Sequence, residues 1–186
     1  PDGWKFFCHD AEHALFLGWD RTGPWTHPDL EEFEYFNPQW LHQRLCENPE
    51  YRLRFADRIH KYFFNEGLLT PDAAIDRFIE RALQIETAII AESARWGDSK
   101  VDPPRTKDDD WLPEIYRTIE DYFPRRTGIV LNQLIARGWY PPTKAPAFYI
   151  GTRPQHGGMV YPPDNVLNID NPNITGTVYY TLDGTD

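Results

Sequence analysis

Thr70-Pro71-Asp72-Ala73-Ala74-Ile75-Asp76-Arg77-Phe78 opens the stretch that decides the fold, and Gly97 closes it. A threonine before a proline marks a helix start, because proline at the first helical position gives up an amide that has no partner there anyway. Asp72 then suits the positive end of the helix dipole. Ala74, Ile75, Phe78, Ala82, Leu83, Ile85, Ile89 and Ile90 recur at steps of three and four. That period predicts one long amphipathic helix from about Pro71 to Arg95.

The same start signal repeats upstream. Asn37-Pro38 and Asn48-Pro49 each put a capping side chain before a proline. The second of these opens a helix predicted from Pro49 to Asn65, with Leu53, Phe55, Ile59, Tyr62 and Phe63 as its apolar face and Gly67 as its stop. Near the end of the polar, proline-bearing segment 98–107, Thr106 is the expected cap of a fourth helix, whose inward face is Trp111, Ile115, Ile119 and Phe123. The acidic run Asp108-Asp109-Asp110 looks like a metal site, but compensation of a helix dipole is the better reading. Pro124 starts a fifth helix carrying Ile129, Val130 and Leu134, and Gly138 closes it.

Composition changes after residue 140. Seven of the seventeen prolines lie between Pro141 and Pro172. Pro141 to Pro146 reads as an extended linker. Beyond it, β-prone runs at Phe148–Ile150, Val166–Ile169 and Val178–Leu182, with a turn signal at Asp183-Gly184, predict a second, all-β module. The chain of 186 residues is 40% apolar and 15% aromatic, enough for a core. A formal net charge of -10 argues against nonspecific nucleic-acid binding. No apolar run is long enough to span a membrane. Cys8 and Cys46 lack CxxC spacing and read as two free or buried thiols rather than a disulfide.

Chemistry concentrates at the start. In Trp4-Lys5-Phe6-Phe7-Cys8-His9-Asp10-Ala11-Glu12-His13 a strand-like run ends in four polar groups. Asp10 and Glu12, at i and i+2, share one side of an extended chain and could face one hard cation. His9 and His13 are expected to hydrogen-bond around those carboxylates, since this order is not the HExxH zinc signature. Arg21 could reach a phosphate, with a surface ion pair as the blander reading. Trp19, Trp25, Phe33, Tyr35 and Phe36 fall in an irregular, aromatic excursion and read as loop or core anchors. Because the run begins at residue 1 and a returning strand is wanted after Asp186, the chain is expected to be a fragment.

These residues carry a family resemblance. Phe6–His13, Asp20-Arg21-Thr22-Gly23-Pro24, Asn37-Pro38-Gln39-Trp40-Leu41-His42, Asn48–Arg58 and Ala91–Asp98 resemble, in order, the C-terminal half of bacterial spore-coat protein H (CotH) kinase-like domains. The resemblance spans residues 1–140. It implies a mainly α fold, the helical C-lobe part of an atypical protein-kinase fold with a short N-terminal strand. It also implies Mg²⁺-dependent transfer of phosphate from ATP to a protein, outside the cytoplasm or at the cell surface. Asp10 and Glu12 fall on the two aspartates of that family's W-D-x-D metal segment. His9 stands where the pattern has tryptophan, and Glu12 is one methylene longer. The nucleotide-cradling lobe would lie upstream, so residues 1–186 alone are expected to be inactive. The tail Gly176–Asp186 is similar to the Y-Y-T-x-D-G-(S/T)-D signature of the chitobiase/β-hexosaminidase C-terminal β-sandwich module. That similarity implies a partial β-sandwich segment over 147–186 after the linker 141–146, with polysaccharide as a candidate ligand. A non-catalytic pseudokinase or scaffold of a cell-surface protein is the alternative reading.

Overall fold

The computed structural model describes Leu15, residues 38–156 and residues 166–183. It is mainly helical with one small antiparallel sheet. The chain divides into two units, Pro1–Tyr140 and Pro141–Asp186.

In the first unit α1 spans Pro38–Leu45, α2 Pro49–Phe63 and α3 Pro71–Trp96. Asn48 caps α2 as its sequence predicts: its side-chain oxygen accepts the amides of Glu50 at 2.9 Å and Tyr51 at 3.4 Å. Thr70 does not cap α3. Its backbone is extended, but its hydroxyl donates to the Gly67 carbonyl at 2.8 Å, so it braces the preceding turn. The stop of α2 also differs from expectation. The left-handed residue is Asn65 (φ 57°), which turns the chain two residues before Gly67. Gly67 is needed for a different reason. A Cβ there would lie 2.5 Å from the Tyr62 carbonyl oxygen and 2.6 Å from that of Lys61. Gly97 likewise keeps a right-handed backbone, yet a Cβ would sit 2.4 Å from the Arg105 carbonyl oxygen. The returning loop is pinned there by the Arg105 amide on the Gly97 carbonyl at 3.0 Å.

After that loop comes a helical run with two wide turns. A π-helical turn at Lys107–Trp111 leads into α4 (Leu112–Arg117), and a second at Thr118–Tyr122 leads into α5 (Phe123–Ala136). Pro113 and Pro124 sit two residues past the two turns. An interior proline removes one helical hydrogen bond and its ring collides with the carbonyl four residues back. Those carbonyls, of Asp109 and Glu120, belong to the wide turns, where Leu112 and Phe123 bond carbonyls five residues back instead. The turns thus let two prolines ride inside one helical run.

The cap of this run is as predicted. The Thr106 oxygen accepts the Asp109 amide at 2.9 Å, and the Asp110 carboxylate accepts the Thr106 amide at 2.7 Å. This reciprocal pair satisfies amides that a helix start leaves open. Replacing Thr106 by alanine should cost about 1–2 kcal/mol, read from a chemical denaturation midpoint. Lys107 ties the run to α3 through Glu86 at 2.7 Å.

Packing in this unit centres on α3 against α5 and the first wide turn. Phe78 meets Phe123 edge to face at 5.2 Å, and Ala82 and Leu134 are buried. The most buried side chain among the described residues is polar: Thr118 is 3% exposed and donates to the Glu114 carbonyl at 2.8 Å. The apolar arc of α3 is wider than its cover. Leu83, Ile85 and Ile90, expected inside, are exposed, as is Leu53 of α2. A Cβ added to Gly128, in the middle of α5, would meet no atom within 4 Å, and the backbone there is ordinary helix. Gly128→Ala should therefore stabilise the protein by about 0.5–1 kcal/mol, visible as a higher unfolding midpoint. Gly138 (φ 69°) ends α5, with the Trp139 amide on the Leu134 carbonyl at 3.0 Å.

In the second unit β1 (Ala147–Ile150), β2 (Arg153–Gln155) and β3 (Leu167–Asp170) form an antiparallel sheet of order β2-β1-β3. Ile150 pairs with Arg153 across a two-residue turn, and Gly151 (φ 61°) takes the first turn position, as a type II′ hairpin requires. Pro154 hides β2 from sequence reading, but β2 is an edge strand and tolerates it. The β1–β3 register pairs Ala147 with Asp170. Three residues further out on each strand are Lys144 and Asn173. There the Asn173 side-chain amide replaces main-chain pairing, bonding both the amide and the carbonyl of Lys144 at 2.9 Å. The strand expected at Val178–Leu182 does not join this sheet. Tyr179 and Tyr180, which a strand over Val178–Leu182 would split between core and surface, are both exposed, at 88% and 70%. Strand-prone residues need a ladder partner before propensity counts.

Candidate functional site

Asp10, Glu12, His9, His13 and Arg21 lie outside the described residues, as do Cys8, Asn37 and the aromatics from Trp19 to Phe36. The acidic run 108–110 is described. Its Asp109 and Asp110 carboxylates are bound to Thr106, which agrees with a helix-end role. Among the described residues no three His, Cys, Asp or Glu side chains form a group that could hold a metal. Nor is any helix among them long and apolar enough to cross a membrane.

Among them, a set of titratable groups whose pKa values are all moved by burial surrounds His42 on α1. One turn on, at the end of the helix, Cys46 places its sulfur 3.5 Å from His42 Nε2. Tyr51, in the first turn of α2, sets its hydroxyl 2.9 Å from His42 Nδ1. The Asn48 cap puts Tyr51 there by fixing where α2 begins. Arg52 donates to the Cys46 carbonyl at 2.6 Å. The imidazole is walled by Phe55 at 4.6 Å and by Trp139 at 4.4 Å between ring centres, the latter near perpendicular. Beside it, Tyr140 is buried, stacks on Phe64 and shares a hydrogen bond with His60 at 3.2 Å.

A cysteine beside a histidine invites comparison with a nucleophile and its base. That chemistry needs the thiol pKa lowered and a thiolate held by imidazolium. The environment does the reverse. Burial raises the Cys46 thiol, against a smaller opposite pull from Arg52. Burial also lowers His42, and raises Tyr51 with help from the neighbouring Cys46. All three are neutral at pH 7. Either imidazole tautomer leaves one ring nitrogen donating and the other accepting, so both contacts are satisfied. The cluster joins α1, α2 and the Trp139-Tyr140 corner, and Cys46 is a free, buried thiol.

His42 has a pH consequence. Its folded pKa lies below the usual 6.5, so the unfolded chain binds the proton more readily. Stability should be complete above about pH 6.5 and fall as pH drops below it, at no more than about 1.4 kcal/mol per pH unit. The ring is only half-buried, so water screens part of this. Urea midpoints at pH 7.5 and 5.5, with His42→Gln as the flat reference, would measure it.

Sequence reading missed this cluster. The spacing of His42 and Cys46, one helical turn apart, was its visible part. Trp139 and Tyr140 gave no local sign, since His60 and Tyr140 are 80 residues apart.

No protein-family model, curated protein or solved structure matches the chain.

Proposed function

We propose that this chain is the C-lobe-like part of a CotH-type atypical kinase, working outside the cytoplasm, that transfers phosphate from ATP to a protein. The observation that carries this reading is the ordered series of sequence blocks, with Asp10 and Glu12 placed two residues apart at the end of an apolar run. A mainly helical unit up to Tyr140 is compatible with it. Two carboxylates are hard oxygen ligands and suit Mg²⁺. Bound there, the ion would offset phosphate charge, the main demand of phosphoryl transfer. Asp10 and Glu12 would hold it, with His9 and His13 orienting them and Arg21 placed to meet a phosphate oxygen.

The test is calorimetry of ATP binding with and without Mg²⁺, on the protein including the upstream lobe that the resemblance implies. Binding that needs Mg²⁺ and vanishes in Asp10→Asn is expected. Absence of binding in both proteins would remove the kinase reading. A cell-surface scaffold would then be the better account. It is the reading that the exposed Leu83 and Ile90 on α3 favour, as apolar side chains open to a partner.

A further inference from the structure

We propose that the Trp139-Tyr140 corner is an acid-released latch, which closes the helical unit onto α1 and α2 while His42 is neutral and lets go when His42 takes a proton. The two residues are the last of the first unit. Each is seated beside a histidine: Trp139 near perpendicular to His42 at 4.4 Å between ring centres, and Tyr140 on His60 at 3.2 Å. The corner's backbone hydrogen bonds run back to α5, from Gly138 to Ile135 and from Trp139 to Leu134. Side chains therefore carry its attachment to α1 and α2, and releasing it breaks no ladder.

The groups facing His42 explain why charge would act here. From the end of α1 comes the Cys46 thiol, from α2 the Tyr51 hydroxyl and Phe55 ring, and from the corner the Trp139 ring. Among the described residues, the fixed charge beside them is Arg52, on the Cys46 carbonyl. None of these groups is an anion. A proton on His42 adds a second positive charge to a half-buried, aromatic setting, and it must be hydrated or displaced. Cys46 and Tyr51 are four and nine residues away and belong to the same helical hairpin. Trp139 is the distant wall, so opening on its side admits water at the smallest structural cost. Burial holding His42 below its usual pKa is consistent with this.

The experiment is a pH titration of the full chain from 7.5 to 5.5 by NMR. It follows the His42 ring protons, the Trp139-to-His42 and Trp139-to-Phe55 cross-peaks, and amide exchange corrected for intrinsic rate. Wild type should lose the cross-peaks with the His42 midpoint. Exchange at residues 138–140 should rise about tenfold, the scale one linked proton allows over one pH unit, while α3 amides hold. His42→Gln should abolish the dependence and His60→Gln should keep it. Cross-peaks that survive protonation overturn the latch. So does α3 exchanging in step with the corner, or a dependence that persists in His42→Gln or disappears only in His60→Gln. If His42→Gln fails to fold, the wild-type cross-peaks and the α3 comparison decide alone.

Discussion

Gly67→Ala should lower the unfolding free energy by about 1–3 kcal/mol, measured from chemical denaturation of the two proteins side by side. The alanine Cβ would fall 2.5 Å from the Tyr62 carbonyl oxygen and 2.6 Å from both the Tyr62 carbonyl carbon and the Lys61 carbonyl oxygen. All three are backbone atoms of the last turn of α2, so no flexible side chain can swing away. Relief requires the turn to move. That turn carries the Leu69 amide on the Tyr62 carbonyl at 2.7 Å and the Thr70 hydroxyl on the Gly67 carbonyl. It also receives Thr127 of α5, whose hydroxyl donates to the Leu69 carbonyl at 2.6 Å. The strain should thus reach the α2–α3 angle and the seat of α5. A loss within about 0.5 kcal/mol, the scale of an ordinary surface change, would show that the turn has room the geometry denies. Gly128→Ala, with the opposite expected sign, is the internal control for a helix-propensity effect.

Trp139→Ala should cost about 2–3 kcal/mol. Truncating a fully buried aromatic costs about 3–5 kcal/mol, and Trp139 is only partly covered, so a loss at or just below the bottom of that scale applies. The ring meets His42 at 4.4 Å and Phe55 at 6.4 Å, both near perpendicular, so edge-to-face contacts are lost along with apolar area. Tyr140 would remain anchored by His60 and Phe64, which is why the unit should loosen at one corner and still fold. Trp139→Phe should recover more than half of the loss. An alanine variant as stable as wild type would mean that α1 and α2 are held by something other than this corner.

Local signals explain where the sequence was readable. Asn48 and Thr106 cap the helices that follow them because a cap is a contact within three or four residues. Proline at the first position and an apolar period place α2 and α3 to within two residues at each end. Gly138 ends α5 where a left-handed residue is needed. The misreadings share a different cause. Gly67 looks like the stop of α2, but the carbonyls of that helix's last turn are what require it, whereas Gly97 does stand at the end of α3 and the Arg105 carbonyl adds a second demand for glycine there. Pro154 reads as a strand breaker until it is known to lie on a sheet edge. Tyr179 and Tyr180 have strand propensity, and the sheet does not take them. Of the candidate chemistry, Asp10 and Glu12 are legible as paired carboxylates, since their spacing is local.

From its sequence alone this protein is a helical unit followed by a small β unit, with helix starts, the caps Asn48 and Thr106 and the apolar arc of α3 set by residue type and spacing. Those are interactions between near neighbours, so they are written in the order of residues. The tertiary structure decided which part of the apolar arc on α3 is covered. It also decided why two glycines are indispensable, and it brought Trp139 and Tyr140 from the end of the helical unit to His42 and His60. Such contacts join residues tens of positions apart. Their geometry follows from how helices pack and from where carbonyls pass, quantities that no local run of residues encodes.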